Sequence, residues 1–412
     1  MSQGTKLTTV VHDTDIHGLS CGINAYYTLR RQGIAVSVFS HFSTNPQEPS
    51  TTPTGLAQYV ESLGTTDLII LDIPIDIRNP KRYIDALVSH AQFKGRVLWL
   101  DHHGHSQWID ILNKQGVTAI VYGSSYDLAL AVPRMYAIAD SFVEKWALIG
   151  SVADFDTSIA DKVSPELEEM VCDILDQAWK QRRDQLLSAL GLTPRPELGN
   201  VGQFTVQIVE KGIEPEKVIE VARTLVSPLR LPQYNTIGDV VYTTELPAMG
   251  LAWKTAWKLC LVTGSKVAVV PTFNPRTQQY AVIIARYWRV DETISKVIES
   301  FIATKFAGRQ IVGHVGARSI ALMSQSEIQN VPMWARELAE ELERTVYTPK
   351  TVHLVSDRYV ASALERDFKM ILQKLTEILE TQKKMYEEYL ELKRRQVQLL
   401  EQATERERTR YD

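Results

Sequence analysis

The chain has 412 residues, of which 44% are hydrophobic and 23% charged, and its formal net charge is −4 at pH 7. These values are typical of a globular protein with two or three domains, and they exclude a globally basic nucleic-acid-binding surface. The three cysteines, Cys21, Cys172 and Cys260, are odd in number and far apart, so no disulfide framework is expected. No signal-peptide pattern or apolar run of membrane-spanning length is found, and we expect a cytoplasmic protein without a membrane partner.

The first part of the chain alternates short apolar runs with longer helix-like segments. The runs "KLTTVVH", "DLIILDIPI" and "RVLWLDHH" are separated by segments such as "PKRYIDALVSHAQFKG". This alternation predicts βαβ units and a mostly parallel sheet. We therefore expect an α/β domain over residues 1–165, with its chemistry in the crevice beyond the carboxyl ends of the strands.

Two further regions follow this domain. Residues 165–192 begin with proline and acids and end near glycine, which are helix-terminal signals, and residues 166–235 are predicted to form a helical linker. The runs "GDVVYTTEL", "KVAVVPTF" and "QYAVIIARYW" alternate with two helix-like segments. They predict a smaller α+β domain over residues 236–330.

Residues 331–412 are predicted to be a helical tail. From Leu364 to Leu399, apolar side chains recur at alternating spacings of four and three, with charged residues between them. This heptad pattern predicts a coiled coil, which either forms a hairpin or joins copies of the chain or binds a partner protein. Gln382 and Gln396 at seam positions would fix its register. The alternative is a helix packed back on its own domain.

Acidic and histidine residues follow four apolar runs of the first domain. Each position alone has an ordinary explanation, because a lone aspartate often caps a helix and a lone histidine usually lies in a core. Together, carboxylates at neighbouring strand ends would repel one another unless a cation lies between them. The sequence therefore predicts a metal cluster, and its candidate residues are His12, Asp13, Asp15, His17, Asp72, Asp101, His102, His103, Asp154 and Asp156.

The ligand types limit the choice of metal. Carboxylates and imidazoles without cysteine favour Mn²⁺, Mg²⁺, Fe²⁺ or Zn²⁺, and the carboxylate majority favours Mn²⁺, with Mg²⁺ as the second choice. The number of candidates exceeds what one ion needs. Two ions about 3.5 to 4 Å apart would suit attack on a phosphorus centre.

The motifs resemble those of the DHH phosphoesterase family. "HDTDIHG", the isolated strand-end Asp72, "DHH" at 101–103 and "SVADFD" match its motifs in content and order. The family includes RecJ-like exonucleases, nanoRNases and cyclic-dinucleotide phosphodiesterases. "FAGRQIVGHVGARSIAL" resembles the Gly-Gly-His segment of the DHH-associated domain, so the resemblance spans about residues 8–325 and leaves out the tail.

The resemblance implies a role for each candidate. The first motif of the family, His-x-Asp-x-Asp-Gly, falls on residues 13–18, with Asp13 in place of a histidine and His17 in place of an aspartate. Both substitutes are metal ligands, so the set is permuted rather than lost, and His12 is an alternative first imidazole. The implied ligands are Asp13, Asp15, His17, Asp72 as a bridging carboxylate, His102 and Asp154. Asp101 and His103 would orient ligands or the leaving group, Asp156 is an outside candidate, and His105 belongs at the cleft rim or in solvent.

The resemblance also implies a substrate-binding segment in the second domain. Arg286, His314 and Arg318 would hold a terminal phosphate or sugar of the substrate across the interdomain cleft. Gly313, together with Gly308 and Gly316, would let the backbone approach it. Arg318 departs from the small residue that is usual there, and an ordinary glycine turn is the alternative interpretation.

The sequence thus predicts a two-metal phosphodiesterase or phosphatase acting on short oligonucleotides, dinucleotides or nucleotide phosphates. Short substrates are favoured because the chain has no evident extra platform for a long single strand. One alternative is a slow or inactive DHH scaffold that binds nucleotide or nucleic acid and assembles through its coiled coil. A further alternative is a RecJ-like single-strand exonuclease.

Overall fold

The computed structural model describes residues 7–40, 53–75, 80–103, 106–192, 200–247, 251–274, 278–290, 293–309, 311–314 and 318–347. The predicted coiled coil, His105 and Gly316 lie outside these residues. Both sheets of the protein belong to one compact unit, Met1–Val346.

The first sheet has five parallel strands, which confirms the predicted α/β fold. They are β1 (Thr8–His12), β2 (Val36–Ser40), β3 (Asp67–Leu71), β4 (Val97–Asp101) and β5 (Val117–Val121), in the spatial order β2-β1-β3-β4-β5. The chain leaves β1 toward β2 on one side, and all later strands lie on the other side. This switch point opens a crevice beyond the carboxyl ends of β1 and β3.

The strand register brings the site residues to that crevice. His12, the last residue of β1, lies opposite Leu71, and Leu71 lies opposite Leu100. Asp101 ends β4 opposite Val121. The segments after β1, β3 and β4 therefore leave the sheet side by side.

Helices cover both faces of the first sheet. These are α1 (Ile16–Arg31), α2 (Pro53–Ser62), α3 (Pro80–Phe93), α4 (Ser106–Lys114), α5 (Ser125–Ala129), α6 (Ala131–Met135) and α7 (Ser141–Ala153). Helices α1 and α7 pack on one face, and α2, α3 and α4 cover the other. Asp15 caps α1 and Asp140 caps α7, so both helices begin at a side chain that accepts a backbone N–H.

Short helices connect the first sheet to the second. They are a 3₁₀ segment (Thr157–Lys162), α8 (Pro165–Glu169), a π segment (Met170–Leu175), α9 (Asp176–Gln181), α10 (Arg183–Ala189), α11 (Asn200–Lys211) and α12 (Pro215–Leu225).

The second sheet is mixed and has six strands. They are β6 (Asn235–Ile237), β7 (Val240–Tyr242), β8 (Val267–Asn274), β9 (Gln279–Arg286), β10 (Ile311–His314) and β11 (Arg318–Met323). The order is β10-β11-β9-β8-β7-β6, and only β7 and β8 pair in parallel. Its helices are α13 (Ala252–Thr263), which covers one face, and α14 (Thr293–Lys305) and α15 (Val331–Leu342), which cover the other. A 3₁₀ segment (Gln325–Asn330) precedes α15 and a π segment (Glu343–Tyr347) follows it.

A buried carboxylate joins the two sheets. Glu168 in α8 is 0% exposed and accepts hydrogen bonds from Nε1 of Trp257 (2.5 Å), Nε1 of Trp288 (2.6 Å) and the Tyr287 hydroxyl (2.8 Å). Its charge is paired with Arg289, whose Nε lies 2.7 Å away. Because an unpaired buried charge is very costly, these donors hold α13 and the segment after β9 firmly against α8.

The sequence predicts neither a disulfide framework nor a membrane-spanning segment. All three cysteines are buried and free. Within the described ranges, no helix has the length and apolarity that a membrane crossing needs. The boundaries given above for separate domains stay a prediction.

Candidate metal centre

The structure gathers all four predicted segments at the carboxyl edge of the first sheet. Potential ligand atoms lie within 4.8 Å of one another in three overlapping groups: Asp13 with Asp15 and Asp72; His17 with His102 and Asp154; Asp72 with Asp101, His102 and His103. The fourth segment differs from the other three because the apolar run before it is a helix and not a strand. Asp154 reaches the cluster from the C-terminal end of α7, because the apolar run before it is helical.

Asp72 is the central carboxylate of the cluster. It follows β3 with a left-handed backbone, φ 59°, and is 2% exposed. Its Oδ2 lies 2.9 Å from Nδ1 of His17, and its Oδ1 lies 3.0 Å from Nε2 of His102. Burial alone would raise the pKa of Asp72, but the two histidines outweigh burial and lower it below its usual range. Asp72 is therefore held as a carboxylate between two imidazoles.

His17 has a defined tautomer. Its Nε2 lies 2.9 Å from the backbone carbonyl of Ser125, which can only accept, so Nε2 carries a hydrogen. Nδ1 then faces Asp72 without hydrogen-bond geometry. Burial lowers the pKa of His17, but the charge of Asp72 outweighs it and raises that pKa well above its usual value. A proton or a metal cation at Nδ1 resolves the contact between these two side chains.

Asp13 and Asp15, the two aspartates of the first motif, lie close to each other and to Asp72. Asp15 caps α1 by accepting from the Gly18 N–H at 2.7 Å, and Asp13 accepts from the N–H of Thr14. Burial, followed by the charges of Asp15 and Asp72, raises the pKa of Asp13 well above its usual value. Asp15 keeps an exposed surface, yet desolvation by the surrounding protein, followed by the charge of Asp72, raises its pKa to about 6. Burial and the neighbouring negative charges therefore disfavour ionisation of both carboxyl groups, and a bound cation would compensate for their charge.

Gly18 lets the first motif fold against α1. A Cβ atom at this position would lie 2.6 Å from Cβ of Asp13 and 2.7 Å from its carbonyl oxygen. Both distances are shorter than real contacts of a Cβ atom. The glycine after His17 is therefore a requirement of the close approach between α1 and the Asp13 loop.

Asp101 and His103 form a pair at the end of β4. Nδ1 of His103 donates to Oδ1 of Asp101 at 2.7 Å, and Asp101 is fully buried. Although burial lowers it, the hydrogen bond and charge of Asp101 raise the pKa of His103 to about 9. The His103 side chain is 41% exposed, so part of its ring is open to solvent.

Asp154 completes the cluster beside His102. Its Oδ2 lies 3.4 Å from Nε2 of His102, and burial raises the pKa of Asp154. Asp154 is the last residue before the left-handed Phe155, whose φ is 58°. Asp72 and Phe155 are thus two of the four non-glycine residues with positive φ in the described part of the chain.

The arrangement fits divalent cations. His17 Nδ1, Asp72 Oδ1 and Asp101 Oδ2 are buried and have no hydrogen-bond partner among the described residues. Buried polar atoms are rarely left unsatisfied, so three at one site indicate a missing partner. Neighbouring ligands of an octahedral ion with bonds of about 2.1 Å lie roughly 3 Å apart. The contacts of Asp72 with His17 and His102, at 2.9 and 3.0 Å, have that spacing.

His12 does not supply the alternative imidazole. Its Nδ1 donates to the carbonyl of Asp13 at 2.6 Å, and its Nε2 lies 2.9 Å from Oγ1 of Thr205 in α11. Burial lowers the pKa of His12 to about 4, so the ring is neutral at pH 7. Neither nitrogen is left for a metal.

Asp156 has a structural role next to the cluster. It accepts from the Ser125 hydroxyl at 3.0 Å, from the N–H of Tyr126 at 2.8 Å and from the N–H of Ser158 at 2.8 Å. It therefore fixes Ser125, whose carbonyl orients His17. The contribution of Ser125 was missed in the sequence because it comes from the backbone and leaves no side-chain signature; the only signal for Asp156 is its capping position before Thr157 and Ser158.

The predicted substrate-binding positions lie together on the second sheet. Arg286 ends β9 and donates to the carbonyl of Val290 at 2.5 Å. In the strand register, Arg318 lies opposite Ala285 on β9 and opposite His314 on β10, next to Gly313. All four positions are therefore at one end of that sheet, whereas the acids and histidines belong to the first.

Comparisons with known proteins concern the fold. No protein-family model and no curated protein matches the chain. Solved structures of DHH-domain proteins, the family that the motifs resemble, do resemble it. A pGpG-specific phosphodiesterase, PggH from Vibrio cholerae, has a TM-score of 0.45 and 12% identity, with 82% of this chain and 100% of that chain covered. The DHH domain of PF0399, a member of the s1p family of ribosomal proteins, has a TM-score of 0.45 and 14% identity, with 82% and 87% covered. RecJ from Thermus thermophilus in complex with Mn²⁺ has a TM-score of 0.36 and 14% identity, with 82% and 52% covered. A likeness of this degree assigns no activity to the chain.

Proposed function

We propose that the chain is a phosphoesterase that uses two divalent metal ions to hydrolyse short oligonucleotides, dinucleotides or nucleotide phosphates. One observation carries the proposal: among the described residues, three buried ligand atoms that have no hydrogen-bond partner, on His17, Asp72 and Asp101, meet at the switch point of a parallel sheet. Buried ligands at such a point are typical of an active site.

Six side chains would hold the ions: Asp13, Asp15, His17, Asp72, His102 and Asp154. Asp72 lies between two of the ligand groups and is the proposed bridging carboxylate. His17 would bind through Nδ1, because the carbonyl of Ser125 keeps the hydrogen on Nε2. A mixture of four carboxylates and two imidazoles suits Mn²⁺ first and Mg²⁺ second.

The bound ions would supply a hydroxide nucleophile near neutral pH and neutralise negative charge on the phosphoryl oxygens. The protein itself supplies a proton donor. His103 is protonated at neutral pH, and its Nδ1–H donates to Asp101. The proton on Nε2 is then free to pass to the oxygen of the leaving group, which is the role of a general acid.

The second sheet would bind the rest of the substrate. Arg286, His314 and Arg318, with the Gly313 backbone, form the proposed phosphate-binding end of that sheet. Arginine suits this task because its guanidinium group makes paired hydrogen bonds to phosphate. Glu168 holds the second sheet directly against the helices that follow the metal centre. A cleft between the two sheets would favour a short substrate over a long single strand.

The test is Mn²⁺-dependent release of mononucleotide from dinucleotides, cyclic dinucleotides and longer single strands. Asp72→Asn removes the central carboxylate, and Asp67→Asn is the matched control, because Asp67 begins the same strand and pairs there with Arg96. We expect turnover by the wild type and the control and none by Asp72→Asn.

The other outcomes separate the alternatives. Preference for long single strands would support a RecJ-like exonuclease. Metal binding without turnover on any substrate would support a scaffold, and a protein that binds no divalent metal would refute the proposal.

A further inference from the structure

The chain leaves the metal centre through an unusual helix end. At the end of α7, the N–H of Phe155 donates to the carbonyl of Val152 at 3.1 Å, and the N–H of Asp156 donates to that of Ser151 at 3.0 Å. This paired closure places Phe155 in the left-handed conformation, a position that glycine or asparagine usually occupies. A phenylalanine is disfavoured there, so its ring is expected to have a function that compensates for the strain.

The ring of Phe155 lies among three tryptophans of the second sheet. The ring centroids are 5.7 Å from Trp253, 6.1 Å from Trp257 and 6.3 Å from Trp288. Trp253 and Trp257 belong to α13, and Trp288 follows β9. We call these three residues the tryptophan cage. Tilted and edge-on aromatic contacts at such distances are favourable and directional.

The tryptophan cage is itself fixed from behind. Trp257 and Trp288 both donate to Glu168, which is fully buried and paired with Arg289. These buried, charge-assisted hydrogen bonds leave the indole rings of Trp257 and Trp288 little freedom to move. Phe155 therefore rests on a rigid surface.

Asp154 lies directly before Phe155 in the chain and directly beside the metal ligands. Its carboxylate is 3.4 Å from Nε2 of His102, and it is the last residue of the helix end that Phe155 closes. On the other side, Asp156 is bound to Ser125 and Tyr126. The direction of the Asp154 side chain thus depends on anchors at both neighbouring residues.

We propose that Phe155 is a positioning residue through which the tryptophan cage holds Asp154 at the metal centre. The inference rests on the metal-binding part of the proposed function and extends it to a contact between the two sheets. Trp288 comes two residues after Arg286, so the same contact joins the proposed phosphate-binding end of the second sheet to the metal centre. Metal affinity at the first sheet then depends on side chains of the second.

The experiment measures Mn²⁺ affinity of the full chain by isothermal titration calorimetry. Phe155→Gly removes the ring and also relieves the left-handed strain, so the variant has no backbone reason to misfold. Trp253→Leu removes the other side of the shortest contact without touching Glu168. Loss of a group that orients a ligand weakens metal binding by about 10- to 100-fold, and we expect each variant to bind Mn²⁺ at least about tenfold more weakly.

The double variant tests whether both changes act through one contact. We expect Phe155→Gly with Trp253→Leu to bind no more weakly than the weaker single variant. Phe155→Tyr should retain wild-type affinity because it keeps the ring. Phe306→Leu, in the core of the second sheet beside Trp334, is the control for general loosening and should also leave affinity unchanged.

Two results would overturn the inference. One is wild-type affinity in either Phe155→Gly or Trp253→Leu, and the other is losses that multiply in the double variant. A wild-type chain that binds no Mn²⁺ would overturn the proposed function together with this inference, whereas tight binding unaffected by Phe155 would overturn the inference alone.

Discussion

Replacing His12 by glutamine is expected to flatten the loss of stability in acid. In the wild type, the buried ring of His12 is neutral and uses both nitrogens, donating to the Asp13 carbonyl and accepting from the Thr205 hydroxyl. A second proton would place a positive charge on a fully buried ring, and burial disfavours that charge. Glutamine also offers one donor and one acceptor, but it does not titrate.

The size of the effect follows from the pKa of His12, which burial lowers from 6.5 to about 4. His12 therefore takes up a proton near pH 6.5 in the unfolded chain but only near pH 4 in the folded chain. Stability from this group is complete above pH 6.5 and is lost as the pH falls toward 4. The full shift corresponds to about 3 kcal/mol, of which about 2 kcal/mol is lost between pH 8 and pH 5.

Urea unfolding followed by tryptophan fluorescence, with EDTA present to remove bound metal, measures this difference. The free energy of unfolding of wild type minus that of His12→Gln should fall by about 2 kcal/mol from pH 8 to pH 5. Thr205→Val, which removes the hydroxyl that contacts His12 but keeps the titrating ring, should cost about 1 kcal/mol and retain the wild-type pH slope. Equal slopes in wild type and His12→Gln would refute the reasoning.

Three further predictions concern the metal centre. Gly18→Ala should weaken Mn²⁺ binding in calorimetry at least about tenfold, because the new Cβ displaces Asp13. Gly64→Ala is the control and should leave the affinity unchanged, because a Cβ there meets nothing within 4 Å. Equal affinities of the two variants would contradict this prediction. Asp101→Asn should lower the midpoint of the His103 titration, followed by NMR, from about 9 toward 6.5, and an unmoved midpoint would mean that Asp101 does not hold that proton. Mn²⁺ at 100 times its dissociation constant should raise the free energy of unfolding of the wild type by about 2.7 kcal/mol, and Asp72→Asn should not respond at that concentration.

The sheet and the gathering of acids at its edge were predictable from the sequence. Apolar runs of strand length alternate with helical periods, and in a parallel sheet the residue after each run must lie at the same edge. Asp13, Asp72 and Asp101 were placed correctly on this argument alone. This placement depends only on the alternation of apolar runs and helical periods, which is visible within short segments of the sequence.

The origin of Asp154 was not predictable in the same way. The apolar run before it is compatible with a strand or with a buried helix, and periodicity does not separate the two. Its length, 13 residues in α7, and the capping Asp140 were the available signals. Asp154 nevertheless lies in the cluster, because α7 ends at the same edge as the strands.

The different roles of His12 and His17 depend on residues that are distant in the sequence. His12 is fixed by Thr205, 193 positions away, and His17 by the carbonyl of Ser125, 108 positions away. Neither partner has a local signature near the histidine it binds. Phe155 is a similar case, since no sequence rule assigns a left-handed conformation to phenylalanine.

The histidine of the first motif has a consequence for charge. At His17, where the motif that the sequence resembles has an aspartate, the cluster has a group that is either neutral or positive instead of a negative charge. Because Asp72 raises the pKa of His17, a proton on Nδ1 balances Asp72 whenever no cation does so. A metal ion that binds His17 must displace that proton, and the raised pKa values of Asp13 and Asp15 add to the competition. The histidine at position 17 therefore makes the metal and the proton alternative partners of the same buried carboxylate.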